Sequence, residues 1–333
     1  MILTDCVYKG KVMILTEDKT YTISLELEDC DNTTGLSSET MELEFSSREL
    51  LHAVFTCGMP VQRLTPAYFA KRKAELLYKI FLVEAALDTE GDRLKKSKKI
   101  AYLDSSEKSV MSYYLGMFFT KLISRRLYGV DYLCHLNLIE KMNGDGFIDF
   151  FAGEWRPDMI GYCIDKDSWS VWEAKGGSNR REQALRKGRQ QVEAIATVNG
   201  KSPDPAAVCM TYYERSYLCG VVRDPKPKQG EAVQFYREQF LKAYYRPVFE
   251  TLLECGAGIR FEGERAEAAV ALPCFTQEGK EGEERTLRFG MPKTIFRHLM
   301  EEDYGFLTEQ GGGLWRELCP EGAFVGKDGI YIR

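Results

Sequence analysis

The chain reads as an α/β protein on three patterns. Residues 20–28 alternate apolar and polar positions, with Tyr21, Ile23, Leu25 and Leu27 on one side, the period of a half-buried strand. Residues 104–128 instead repeat apolar side chains at helical spacing, through Met111, Tyr114, Leu115, Phe118, Leu122 and Ile123. From 104 to 223 such segments follow one another as helix, strand, strand, strand, helix, strand, strand.

Its 333 residues suffice for one large domain or two to three small ones, and 44% hydrophobic residues allow a sizeable core. No apolar run nears the roughly 20 residues that span a bilayer, so no membrane partner is expected. Met1 leads into Ile2-Leu3-Thr4-Asp5-Cys6 without a basic n-region or long h-region, and nothing points to secretion. Ten cysteines lie scattered from Cys6 to Cys319 with no Cys-x-x-Cys pair, which predicts reduced thiols in a cytoplasmic protein. His52, His135 and His298 are far apart, so a histidine-built metal site is not expected. A net charge of −5 argues against coating nucleic acid non-specifically but leaves room for a local basic groove.

Residues 1–99 read as a small α+β module. Strands are expected over 11–17, 20–28 and Met41–Phe45, with Asp31–Gly35 as a loop. Ser46 and Glu49 have capping-box spacing and open a helix through Phe55; Thr65-Pro66 opens a longer one to about Leu87. The run Asp88–Lys99, with Arg93, Lys95, Lys96, Lys98 and Lys99, reads as a solvated linker or as a phosphate-contacting arm.

Residues 100–223 carry the chemistry. A helix starts near Asp104 and ends near Tyr128; Glu107 either closes a capping box with Asp104 or adds a carboxylate to a metal site. Val130–Ile139 reads as a core strand and Asn143–Gly146 as a turn. Strands over Arg156–Ile164 and Trp169–Ala174, joined by the turn Asp165–Asp167, form a hairpin that brings Asp158 and Glu173 together. Two carboxylates held on rigid strands are costly unless a cation neutralises them, and Mg²⁺ or Mn²⁺ favours such oxygen donors. Lys175, two residues after Glu173, shares its face, where it can hold an attacking water and offset charge on a scissile phosphate.

Gly176-Gly177-Ser178-Asn179 lets the chain leave the strand. A helix from about Arg180 to Val198 follows, with Arg180, Arg181, Arg186, Lys187 and Arg189 as cations and Leu185, Gly188, Val192 and Ile195 as the buried stripe. Lys187 and Gln191 share a face beside that stripe. These cations either meet a phosphate backbone or form a solvated surface. Strands over Ala206–Tyr213 and Tyr217–Val222 complete the order.

Pro157-Asp158 followed by Glu173-Ala174-Lys175 resembles the PD-(D/E)xK signature of the restriction-endonuclease-like nuclease superfamily, and the element order from about 104 to 223 matches that family's core. Gln191-Val192 with Ile195-Ala196 is similar to the glutamine-bearing helix of the RecB-like branch, with Ile195 where that branch places tyrosine. The resemblance implies a central mixed β-sheet flanked by helices. It implies Asp158, Glu173 and the Ala174 carbonyl as ligands of Mg²⁺ or Mn²⁺, Glu107 as a further metal-side carboxylate, and Lys175 and Gln191 as the catalytic and orienting pair. Arg180, Arg181 and Lys187 become the nucleic-acid contacts. The implied function is a Mg²⁺-dependent nuclease, an endonuclease on DNA in preference to RNA, in restriction, repair or anti-phage defence. A homodimer and a defence-system partner protein fit that setting. The alternative is a non-catalytic nucleic-acid-binding or assembly subunit on the same fold.

Residues 224–333 read as a second α+β module for substrate or partner recognition. Asp224–Gly230 is a linker by composition, and Ala232–Glu254 a long helix broken or kinked at Pro247. Its Phe235, Tyr236, Phe240, Tyr244, Tyr245 and Phe249 serve as core or as a stacking surface. Short strands with charged turns follow from Gly258, then a helix over Pro292–Glu302, the loop Gly311–Gly313 and a strand ending at Ile332.

Overall fold

The computed structural model describes residues 14–29, 39–57, 72–143, 156–225, 230–255, 260–272, 285–309 and 315–333. Among them the chain is α/β, built on a large mixed sheet flanked by helices. The elements of the first third are β1 (Thr20–Glu28), β2 (Thr40–Ser46), α1 (Ser47–Thr56), α2 (Arg72–Ala86), β3 (Leu87–Glu90) and β4 (Arg93–Lys96). The centre holds α3 (Ser105–Tyr128), β5 (Tyr132–His135), α4 (Leu136–Asn143), β6 (Met159–Cys163), β7 (Ser168–Gly176), α5 (Glu182–Glu193), β8 (Ile195–Val198), β9 (Ala206–Glu214) and β10 (Tyr217–Arg223). The last third adds β11 (Glu231–Val233), α6 (Arg237–Cys255), β12 (Arg260–Glu262), β13 (Arg265–Leu272), β14 (Arg285–Pro292), α7 (Lys293–Met300), α8 (Tyr304–Glu309), β15 (Phe324–Val325) and β16 (Tyr331–Ile332).

The main sheet runs β2-β1-β4-β10-β9-β7-β6-β5, with β3 paired to β4. Tyr21, Ile23, Leu25 and Leu27 of β1 are buried, as their alternation demands. β1 also pairs in parallel with β10, Ser24 opposite Cys219 through Glu28 opposite Arg223. The sequence boundary at residue 99 therefore falls within one sheet. The basic run is not a loose linker: its residues form the β3–β4 hairpin and a 3₁₀ turn over Lys98–Tyr102.

β6 and β7 form the expected antiparallel hairpin, with Met159 opposite Trp172, and β7 then pairs in parallel with β9, Glu173 opposite Val208. A parallel pair needs a crossover, which α5 supplies. α3 covers the sheet face of Trp172, whose ring meets Tyr128 edge-on at 5.2 Å. α5 covers the other face through Leu185 and Val192, both fully buried. α3 starts where Asp104 accepts bonds from the Ser106 and Glu107 amides, and it ends at Gly129, whose φ of 70° suits a left-handed cap.

Several boundaries differ from the sequence reading. Ile14–Glu17 is a turn rather than a strand, because the Ile14 and Leu15 amides bond to the Glu84 carboxylate at 2.9 and 2.8 Å. Val130–Ile139 splits into β5 and the start of α4; a short, largely apolar run carries no clear period with which to tell the two apart. The helix expected through Val198 stops at Glu193, and Ile195-Ala196-Thr197-Val198 pairs with β11 as a strand, in keeping with its β-branched residues. The helix expected from Ala232 starts at Arg237, because Asn199 holds Phe235 in an extended link, donating to its carbonyl at 3.0 Å and accepting from its amide at 2.7 Å. Pro247 lies inside α6 without ending it. Phe235, Phe240, Tyr244 and Tyr245 are core, whereas Tyr236 is exposed.

The loops expected at Asp31–Gly35 and Gly311–Gly313, the turn after Asn143 and the helix start at Thr65-Pro66 lie outside the described residues. β12-β13-β14-β16-β15 form a second, antiparallel sheet. No described helix is long and apolar enough to cross a membrane.

Candidate active site

The ladder between β6 and β7 ends at Met159 and Trp172, so the next positions, Asp158 and Glu173, face each other just beyond it. Side chains replace the missing backbone bonds there. Asp158 Oδ2 accepts from the Ala174 amide at 3.1 Å, and Glu173 Oε2 accepts from the Asp158 amide at 2.8 Å. Each acid is thus held by the other's strand.

Glu173 is only 1% exposed. Burial, then the negative charge of Asp158, pushes its carboxyl up to about 8, against the pull of Lys175. Burial also raises Asp158, with Lys175 and the Ala174 amide opposing.

Lys175 donates to Glu173 Oε1 and, at 2.9 Å, to Gln191 Oε1. Gln191 in turn donates through Nε2 to the Arg156 carbonyl at 2.7 Å. An ammonium offers only donors, so the Gln191 oxygen must face it. Two hydrogen bonds leave Lys175 one further N–H for the cleft.

Three glycines set these approaches. A Cβ on Gly176 would lie 1.8 Å from the Ser112 carbonyl oxygen, and one on Gly116 2.8 Å from that of Lys175. At Gly188 it would meet Val208 Cγ1 at 2.7 Å and Glu173 Cγ at 3.3 Å. α3 and α5 can therefore lie directly against the end of β7.

The acids and Lys175 form the floor of a cleft of about 540 Å³ at this end of the sheet. Ser105, Lys108, Ser109, Ser112 and Tyr113 of α3 make one wall, and Ser178, Arg181 and Gln191 border the other side. Of the residues singled out in the sequence, Asp158, Glu173, Ala174, Lys175, Gln191 and Arg181 gather here. Glu107 does not line the cleft; its carboxylate accepts from the Asp104 amide at 3.1 Å and closes the capping box. Arg180 is engaged by Glu26 and Glu28 of β1, and Lys187 is exposed on α5 outside the cleft lining. The apolar stripe of α3 does not signal this polar wall. Its signal is the spacing of Ser105, Lys108, Ser109 and Ser112, at i, i+3, i+4 and i+7.

No cluster of three or more His, Cys, Asp or Glu side chains suited to a metal ion occurs among the described residues. Two carboxylates are nonetheless a fitting donor set for Mg²⁺, which keeps several waters and needs only one or two protein acids. The donors are hard oxygens, burial raises both acids, and the Asp158 charge that further raises Glu173 is one a divalent cation offsets. No protein-family model, curated protein or solved structure matches the chain.

Proposed function

We propose that the chain is a Mg²⁺-dependent nuclease with a restriction-endonuclease-like core, hydrolysing phosphodiester bonds as an endonuclease on DNA. The observation that carries this reading is the tethered ammonium of Lys175 beside the buried Glu173 and half-buried Asp158 on an open cleft floor. Asp158, Glu173 and the Ala174 carbonyl would hold the ion. When bound, Mg²⁺ supplies Lewis acidity at a phosphoryl oxygen and neutralises the acid pair.

The protein's own residues do the rest. Lys175 uses its remaining N–H to hold the attacking water or a non-bridging phosphate oxygen, and its charge offsets that building on the phosphorus centre. Gln191 keeps the ammonium from swinging away, since its amide is itself anchored on Arg156. Arg181 and Lys108 border the cleft as cations for the flanking phosphates. Arg180, held by Glu26 and Glu28, braces the loop after β7 against β1.

Plasmid DNA, circular single-stranded DNA and a folded RNA incubated with Mg²⁺ or Mn²⁺ test the reading. Wild type should cut DNA, and Lys175→Ala should not. Equal cleavage by both proteins removes the mechanism. Binding without cleavage by wild type points instead to a nucleic-acid-binding subunit, and cleavage of RNA alone keeps the centre but changes the substrate.

A further inference from the structure

Tyr113 lines the cleft beside the acids yet is 42% exposed. Its ring meets Tyr114 at 5.3 Å, and Tyr114 meets Tyr78 of α2 at 5.7 Å, both edge-on. Tyr78 is 46% exposed, so the row leads from the cleft floor to the surface. Along the same wall, Ser105, Ser109 and Ser112 offer hydroxyls and Lys108 a cation. Beyond the Lys108 charge, the acid–lysine chemistry uses none of this wall.

An aromatic row beside a polar, cationic track is how proteins take a nucleic-acid strand without reading its sequence. The rings stack on bases, and the track follows phosphates. Duplex bases are already stacked on one another and have no faces to offer. The space agrees, because about 540 Å³ is the size of a small-molecule pocket, enough for a nucleotide or two of one strand. Glu173, 1% exposed, lies at the floor of that space.

We propose that the cleft accepts a single strand, or an unpaired stretch of a longer nucleic acid, with a base stacked on Tyr113 and its phosphates along the serine-and-lysine face of α3. The proposal rests on the nuclease reading for the role of the acids, but the strand preference rests on the wall alone.

Binding of fluorescein-labelled 12-mers of thymidylate and uridylate, and of a 12-base-pair DNA duplex, tests it by anisotropy with the full chain in Ca²⁺. The single strands should bind at least about ten-fold more tightly than the duplex. Tyr113→Ala should weaken single-strand binding about ten-fold, within the range for loss of one base–aromatic stack, while Tyr113→Phe keeps it. Lys108→Ala should lower the salt dependence by about one counterion. Thymidylate and uridylate arms separate DNA from RNA.

Equal or tighter duplex binding overturns the proposal, as does a Tyr113→Ala protein with unchanged single-strand affinity. A change in oligomeric state on Tyr78→Ala or Tyr113→Ala, with strand binding intact, also overturns it and makes the row a contact between copies. Duplex cleavage that depends on Lys175, without single-strand preference, sinks this proposal and leaves the nuclease reading standing. Tyr113-dependent single-strand binding without cleavage in Mg²⁺ or Mn²⁺ does the reverse.

Discussion

Two buried ionisable clusters flank α3, and they solve the problem of buried charge in opposite ways. Toward the helix start, Asp158 and Glu173 face each other at the cleft floor with Lys175 as their nearest cation. Toward its end, Lys121 is sealed among His52, Asp328 and Tyr244, with Lys121, His52 and Asp328 each 1% exposed. There Lys121 donates to the Asp131 carbonyl at 2.8 Å and to the Tyr244 hydroxyl at 3.3 Å. Asp328 is bonded by His52 at 3.2 Å and by the Tyr244 hydroxyl, while its carbonyl accepts from Tyr245 at 2.6 Å.

The titration directions follow that difference. Burial pushes Asp328 up, but His52 and Lys121 outweigh it and hold the carboxyl below its ordinary range. At the cleft, burial and the Asp158 charge outweigh Lys175, and Glu173 rises to about 8. Burial of charge therefore does not by itself mark a site. A closed, balanced network braces α1, α3, α6 and the last strands; an open, unbalanced one invites a cation.

The largest expected effect breaks the sealed side. Asp328→Ala leaves the buried Lys121 without its counter-charge and His52 without its hydrogen-bond partner, and should cost roughly 3–5 kcal/mol in denaturant unfolding. A loss below about 1 kcal/mol would show that the network carries little.

Next comes pH dependence on the open side. Glu173 has a folded value of about 8 against an ordinary 4.5, so between these pH values the folded state binds more protons than the unfolded. Wild-type stability should fall as pH rises through that window. Glu173→Gln should flatten the fall, and Mg²⁺ should restore stability to wild type at pH 8 but not to the variant. Matching pH profiles for the two proteins would contradict the unbalanced pair.

A smaller effect sharpens the role of the tether. Gln191→Ala frees the Lys175 ammonium without removing it, so kcat should drop about ten- to a hundred-fold with KM little changed. Unfolding should move by only about 1 kcal/mol, the scale of a lost hydrogen bond. A stability loss several times larger, with kcat intact, would make Gln191 a structural residue only.

Much of this geometry was legible in the chain. The hairpin between Asp158 and Glu173 followed from two strands joined by a short turn, and the shared face of Glu173 and Lys175 from a spacing of two. Gln191 was placed by the helical period. Harder to read were contacts that pair distant segments. Nothing local says that Glu26 and Glu28 take up Arg180, or that Asp328 closes on His52 and Tyr244. Glu107 shows the limit of periodicity: a capping box and a site carboxylate have the same sequence, and only the rotation of α3 distinguishes them. Ile195 shows another, since β-branched residues prolonged the apolar stripe of α5 after the helix had ended.

The most direct test compares single-turnover cleavage by wild type, Lys175→Ala and Asp328→Asn in Mg²⁺, at a temperature where all three are folded. The rate should fall about 10²–10³-fold or more for Lys175→Ala and stay within a few-fold of wild type for Asp328→Asn. Cleavage by Lys175→Ala at the wild-type rate would contradict the account.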